Sequence, residues 1–395
     1  MNEILEKLNV PEAKDRLKAL EEIIRSEKKA PEVLPQFANN HIHSFYSFSP
    51  YSPASAVYFA RLAGLQTAGI MDHDTIAGAS EFIKAAEIAG IDSTIGLECR
   101  VRTEGTGLYG RRINNPDQKS IAYMALHGVP HTQIEYLQSV FEPLREKRNI
   151  RNRKMVDNIN RIMSPISASL DFDRDILPIS KYNEGGTVTE RHLLFALATK
   201  ITETAGRDGV SEFLQKRMDI PLSQKQKKLL ESGDNPFFDY DLLGILKSSL
   251  VERIYVEAHE ECMHITDLSR LAKETGSLFC YAYLGDVGES VTGDKRAQKF
   301  EDDYLPVLFD TLEEQGIDAV TYMPSRNTPE QLERIQQMCR ERNIMEISGE
   351  DINSPRQKFI CPQLEQPQFS HLIKATWELI MRERTETLRQ ERKIF

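Results

Sequence analysis

Residues 38–53 read ANNHIHSFYSFSPYSP, and the pair His41 and His43 on either side of Ile42 decides how the rest of the chain is read. Alternate side chains of an extended strand share one side. A strand over 38–43 therefore points both imidazoles the same way. Two neutral imidazoles on one side suit a divalent metal ion. They are equally compatible with an ordinary strand end, so the other strands must decide.

Six further short apolar runs predict strands: 66–72 (QTAGIMD), 94–101 (TIGLECRV), 121–127 (IAYMALH), 277–283 (SLFCYAY), 317–323 (IDAVTYM) and 344–349 (IMEISG). Several follow helical segments ending in Gly, as AAEIAG and LEEQG do, and Gly is a common helix stop. Strand alternating with helix predicts a parallel sheet, and seven strands predict an α/β barrel. His41, His43, Asp72, His73, Glu98, His127, Glu350 and Asp351 all fall in or just past the later half of a predicted strand. The C-terminal strand ends of such barrels form the catalytic rim. Taken singly each residue is ambiguous; jointly they argue for an active site.

Composition narrows the class. Of 395 residues 40% are apolar and 28% charged, as in ordinary globular proteins. No apolar run approaches the roughly 18 residues of a membrane span, and the N-terminus does not read as a secretory signal. Five scattered cysteines without a CxxC pair point to a cytoplasmic location and against a structural zinc knuckle. A net charge of −10 argues against extended nucleic-acid binding.

Residues 11–27 place Ala13, Leu17, Leu20 and Ile24 on one face of a helix with Pro11 in its first turn. The expected domain plan is an N-terminal helical extension over 1–36, a barrel from 37–129 and 271–362, a mainly helical insertion over 130–270 and a C-terminal helix over 363–395. An insertion of that size in a barrel is expected to cap the active face.

The order HIHS (41–44), DHDTIAG (72–78), GLE (96–98) and Asp351 after the last strand resembles the PHP (polymerase and histidinol phosphatase) domain family, and within it stand-alone metal-dependent phosphoesterases. The resemblance spans roughly 37–360 and continues in TVTERHLLFALA, GSLFCYAYLG, IDAVTYMPSRNTPEQ and ISGEDINSP. It implies a distorted seven-stranded (β/α) barrel with up to three divalent ions, such as zinc, manganese or iron. Carried over, the first metal site uses His41, His43, Glu98 and Asp351. A second shares Glu98 and adds His127 and the position of Tyr283. A third uses the positions of Phe48, His73 and Asn353. Phe48, Tyr283 and Asn353 depart from the family pattern, so one or two ions are expected. His73 and Asp72 are expected to serve catalysis; Arg326, which follows the sixth strand at the rim, Arg100, and His192, which matches a histidine of the family's cap, are expected to meet substrate phosphate.

The function so implied is hydrolysis of a phosphate ester, on a small phosphorylated molecule or a short oligonucleotide, by hydroxide generated on a bound metal. The alternative is a degenerate PHP domain that binds metal or a phosphorylated ligand without turnover. An amide- or lactone-hydrolysing barrel would need a metal-bridging lysine in a strand, and none is present in the seven runs. AHEECMH (258–264) is one residue too long for HExxH, and helical His259 and His264 would face different ways. Gly185–Gly186 reads as a turn, the arginines of 145–154 as a solvated helical face, and Cys99 and Cys280 as core.

Overall fold

The computed structural model describes residues 2–166, 168–287 and 298–394. Its strands are β1 (Asn39–Ile42), β2 (Thr67–His73), β3 (Asp92–Arg102), β4 (Ile121–His127), β5 (Met263–His264), β6 (Leu278–Ala282), β7 (Ala319–Tyr322) and β8 (Met345–Ser348). They form one sheet in the order β1-β2-β3-β4-β6-β7-β8, with β5 paired to the end of β3. The sheet nearly closes on itself. Ile42 bridges Ile352 in parallel, Ile352 N–H donates to His41 O (3.1 Å) and His43 N–H donates to Ile352 O (3.0 Å). All seven strands expected from the sequence are present. The additional β5 has only two residues, too few to show a period.

The expectation of a wholly parallel sheet is corrected at β4, which runs antiparallel to both β3 and β6. A parallel return needs a crossover, usually a helix. Residues 103–120 contain no helix, so the chain turns at the rim and descends.

The helices are α1 (Asn2–Leu8), α2 (Ala13–Ser26), α3 (Pro53–Leu62), α4 (Ala79–Ala89), α5 (Ile134–Met163), α6 (Glu190–Ala205), α7 (Val210–Arg217), α8 (Gln224–Glu231), α9 (Phe238–Ile254), α10 (Ile265–Thr275), α11 (Leu305–Glu314), α12 (Pro329–Arg342) and α13 (Ser370–Ile394). Pro11 precedes α2 rather than opening it, and the buried face of α2 holds Arg16 as well as Leu20. Arg16 is there because it pairs with Glu81 on α4 at 2.6 Å. No helix among the described residues is long and apolar enough to cross a membrane.

Helix α13 closes the barrel floor. Its Leu379 packs among Met71, Ala125, Leu278, Cys280, Ala319 and Ile347, while Glu383 accepts from Thr94 Oγ1 (2.6 Å) and Ile95 N–H (2.9 Å). The 30 residues of α5 span about 45 Å at 1.5 Å each. It begins beside the floor, where His131 just before it meets Glu383 at 2.9 Å. It ends in a separate apolar core with α6 and α9, built on Met155, Ile159, Leu193, Leu197, Leu243 and Leu246.

Three of the arginines of α5 are not on a solvated face, although Arg153 and Arg161 are exposed. Arg145, Arg148 and Arg151 are buried. Arg148 pairs with Asp74, just past β2, and with Glu190 on α6 at 2.8 Å. Arg151 also reaches Glu190 (2.5 Å), as does Arg100 from β3 (3.2 Å). Helical charge spacing looks the same whether a face meets water or buried carboxylates. Only packing separates the two cases.

The chain after β6 is held by Glu301, a fully buried carboxylate. Its Oε1 accepts from Leu284 N–H (2.8 Å), Gly285 N–H (3.2 Å) and Tyr281 OH (3.1 Å). Burial pushes its pKa from 4.5 up to about 7, against the pull of those donors. The native state therefore holds a proton that the unfolded chain has lost, and stability falls as pH rises through that interval. Glu301→Gln cannot ionise yet keeps an acceptor. Urea midpoints measured from about pH 4.5 to 7 should fall less steeply in the variant, with the variant gaining on the parent as pH rises. Equal slopes would contradict this account.

Candidate metal centre

Strand pleat and register build the site. His73 of β2 lies opposite Glu98 of β3 in the ladder, and both project into the barrel at its rim. His41 and His43 arrive from β1, and Asp351 from the turn after β8. Gly349 lets that turn pass close to β1: a Cβ there would sit 2.6 Å from the Cβ of His41.

Glu98 Oε1 is the common point. It lies 3.1 Å from His73 Nδ1, 3.4 Å from His43 Nε2 and 3.5 Å from His41 Nε2. His43 Nε2 is also 3.1 Å from Asp351 Oδ1. Ligand atoms of His41, His43 and Glu98 all fall within 4.8 Å of one another. His43 Nε2 is buried without a hydrogen-bond partner. Converging lone pairs that do not satisfy one another are what a cation needs, and two imidazoles with two carboxylates suit a divalent one.

Both carboxylates and His73 are in ligand form, whereas His41, whose pKa burial lowers but Glu98 and then Asp351 raise by more, is pushed toward the protonated form. Burial raises the pKa of Glu98, but His73, His41 and His43 outweigh it and hold the carboxyl at about 2. Burial opposes ionisation of Asp351 too, yet contacts with His43, then His41 and Arg191, keep it well below the usual carboxylate range. His73 is pushed down to about 3, chiefly by burial, and is a neutral imidazole. Deprotonated carboxylates and neutral imidazole are ligand states.

Other expected site residues lie elsewhere. Asp72 is turned away from the cavity, buried beneath the loop after β1, where it accepts from Ser44 N–H (2.8 Å), Ser44 Oγ (2.6 Å) and Ser47 Oγ (2.6 Å). This corrects its assignment to catalysis: its acceptors are taken by the loop. His127 descends on the antiparallel β4 and pairs with Leu278 at the start of β6, below the rim and outside the cluster. Burial first, then His41, pushes its pKa to about 3, and its Nε2 has no hydrogen-bond partner. Glu350 accepts from Ser325 Oγ (2.6 Å).

None of the three residues expected to grip phosphate lines the cavity. Arg100 is buried against Glu190. His192 Nδ1 accepts from Thr189 N–H (3.0 Å) as part of the cap of α6. Arg326 Nε donates to Leu284 O (3.0 Å). His259 is exposed in a loop and His264 caps α10, so AHEECMH is not helical.

The three altered positions each have a partner. Phe48 adopts a left-handed φ of 84°, uncommon without glycine, and packs on His192 (4.9 Å between centroids), Phe195 and Tyr240. Tyr283 donates to Asp302 Oδ1 at 2.5 Å. Asn353 Nδ2 donates to Asp351 Oδ1 at 2.5 Å.

What sequence reasoning missed is the set of cations that line the same cavity as the cluster. A cavity of about 190 Å³ is lined by His41, His73, Glu98 and Asp351, and also by Arg148, Arg191 and Lys247 of the cap helices. Thr189, the N-cap of α6, lines it as well, so the positive end of that helix faces the cavity. Adjacency of Arg191 to His192 was the available signal, and it is a weak one.

Residues 39–216 match the PHP domain family. A 5′-3′ exoribonuclease from Haemophilus influenzae is 38% identical over 69 residues, which is 18% of this chain and 25% of that protein. The alignment thus spans about a quarter of that relative's length. Two solved structures superpose with a TM-score of 0.55 each. One is a protein from Bifidobacterium adolescentis provisionally named a metal-dependent phosphoesterase, 18% identical, with 90% of this chain and 98% of that one covered. The other is an amidohydrolase from Chromobacterium violaceum with bound sulfate and no metal, 15% identical, with 86% and 96% covered. At these identities the likeness is one of fold.

Binding of Mn²⁺ or Zn²⁺, followed by competition with a chromogenic chelator, should weaken sharply in Glu98→Gln, because an amide removes the charge shared by three imidazoles. Unchanged affinity in that variant would dismiss the cluster as a metal centre.

Proposed function

Because residues 39–216 match the PHP domain family, we propose that the protein is a metal-dependent hydrolase of small phosphate esters. The observation that carries this reading is the cavity itself, which ligand-type groups line together with the cations Arg148, Arg191 and Lys247. His41, His43, Glu98 and Asp351 would hold a divalent ion, zinc, manganese or iron. Such an ion supplies Lewis acidity toward a phosphoryl oxygen and acidifies a water.

The chain's own groups do the rest. Arg191, beside the N-terminus of α6, would meet the charge that develops on the phosphoryl oxygens. Asn353 orients the Asp351 carboxylate through its 2.5 Å bond. Neutral His73 can take a proton or act as a further ligand. With Phe48 packed against aromatic rings where a third ion would be held, one or two ions are expected. The cap over 130–270 and the loop carrying Asn114 and Asp117 help to line the cavity. Its volume of about 190 Å³ and the net charge of −10 favour a terminal phosphate, on a small molecule or at the end of a short oligonucleotide, over an extended nucleic acid. All five cysteines are free and buried, which fits a cytoplasmic location.

The second reading, binding without turnover, is favoured by one observation: Phe48, Tyr283 and Asn353 all have contacts of their own in place of metal. Phosphate release from nitrophenyl phosphate, nucleoside 5′-monophosphates and short oligonucleotides, after loading with each metal, separates the two. Turnover is expected, and Arg191→Ala should lower kcat/KM by about 10²–10³ while metal stoichiometry stays the same. Metal bound at full stoichiometry with no phosphate released would favour the binding protein.

A further inference from the structure

The hydroxyl of Ser47 lies between the carboxylate of Asp72 and the ring of His43. It is 2.6 Å from Asp72 Oδ1 and 3.2 Å from His43 Nδ1. A serine hydroxyl has one proton to give, and the carboxylate, at 2.6 Å against 3.2 Å for the ring, takes it. The serine oxygen therefore meets His43 Nδ1 with a lone pair, so Nδ1 must carry the ring proton. The other nitrogen is left with its lone pair, and that atom is the one 3.1 Å from Asp351 and 3.4 Å from Glu98.

The competing acceptor for the ring proton is Asp351, 3.1 Å from Nε2; a proton held there alone would leave Nδ1 and the serine oxygen facing each other with lone pairs. His43, Ser47 and Asp72 are each 1% exposed and Ser44 is 0%, so bulk water does not compete for these bonds. Ser44 occupies the other carboxylate oxygen with its hydroxyl (2.6 Å) and adds its N–H to Oδ1 (2.8 Å). That pair of contacts fixes the plane of the carboxylate and hence the direction in which Ser47 is pulled.

We propose that Asp72 and Ser47 form a positioning relay that holds His43 as the Nδ1–H tautomer and presents Nε2 to a divalent cation. The proposal rests on the metal-centre reading above. Metal-binding histidines almost always donate their other ring N–H to a carboxylate, carbonyl or water; here a serine hydroxyl stands between ring and carboxylate. The relay gives Asp72 a role in the site although it never touches the cavity. It also explains why a carboxylate and two serines surround a histidine that already has acidic neighbours on its other side.

Ser44 supplies the control. It grips the same carboxylate but has no bond to the His43 ring, so Ser44→Ala disturbs the loop without removing the link. Long-range ¹H–¹⁵N spectra of the full-length, chelator-treated protein read each imidazole tautomer directly, with His43 assigned by the signal lost in His43→Gln. Parent protein and Ser44→Ala should show protonated Nδ1 at His43. Ser47→Ala should shift the ring toward the Nε2–H form and weaken Mn²⁺ or Zn²⁺ binding by about 10–100-fold. Asp72→Asn, which keeps the shape of the side chain, should move both readouts the same way and serves if Ser47→Ala does not fold. A His43 ring still protonated on Nδ1 in the Ser47 or Asp72 variant, or equal losses of affinity in the Ser44 and Ser47 variants, would overturn the relay. Parent protein with the expected tautomer but no metal affinity would instead overturn the metal-centre reading and leave the tautomer assignment standing.

Discussion

The carboxylate of Glu98 is the constraint around which the barrel is arranged. It is buried and ionised, and a lone buried charge is among the most destabilising features a fold can hold. Three imidazoles from two neighbouring strands surround it at 3.1–3.5 Å. Near-closure of the sheet between β1 and the segment after β8 adds Asp351 to the same group. The two carboxylates push His41 toward its protonated form against burial, and a divalent ion is the simplest group to supply that positive charge in its place.

A second charge cluster sets where the cap sits. Glu190 is held by Arg100 of the barrel and by Arg148 and Arg151 of α5. Arg148 returns to the barrel through Asp74. Losing one member of such a set strands the others in a low-dielectric interior, so cap and barrel are joined by bonds that do not separate one at a time. The joint also places the N-terminus of α6, with Arg191, over the cavity. The antiparallel β4 makes this possible, because its descent delivers the chain to the floor, from which α5 climbs past the rim.

The positions that depart from the family pattern are integrated rather than eroded. Phe48 builds the apolar joint under the cap, Tyr283 is tied to Asp302, and Asn353 holds the oxygen of a proposed ligand. A side chain that has merely lost a ligand role does not need partners of its own. These partners make the present cluster a self-consistent arrangement.

Sequence alone determined the strands and the barrel, and it named residues that converge in the candidate site. Seven short apolar runs set between helical segments read as strands, and His41, His43, Glu98 and Asp351 sit in or just past their later halves, where strand geometry sets direction. It did not determine the direction of β4, because a strand reads the same either way up and only the missing crossover helix decides. Nor did it separate roles that depend on which neighbour is closest. Asp72 is adjacent to His73 in the chain, yet the pleat turns it to the opposite face, under Ser44 and Ser47. Arg100 and His192 look free to grip phosphate until Glu190 and Thr189 are seen to hold them, while Arg191 gains its place from the fold of the cap. Strand alternation is a local property and is written in the chain; the partner of a long polar side chain is set by packing between distant segments, and only the tertiary structure decides it.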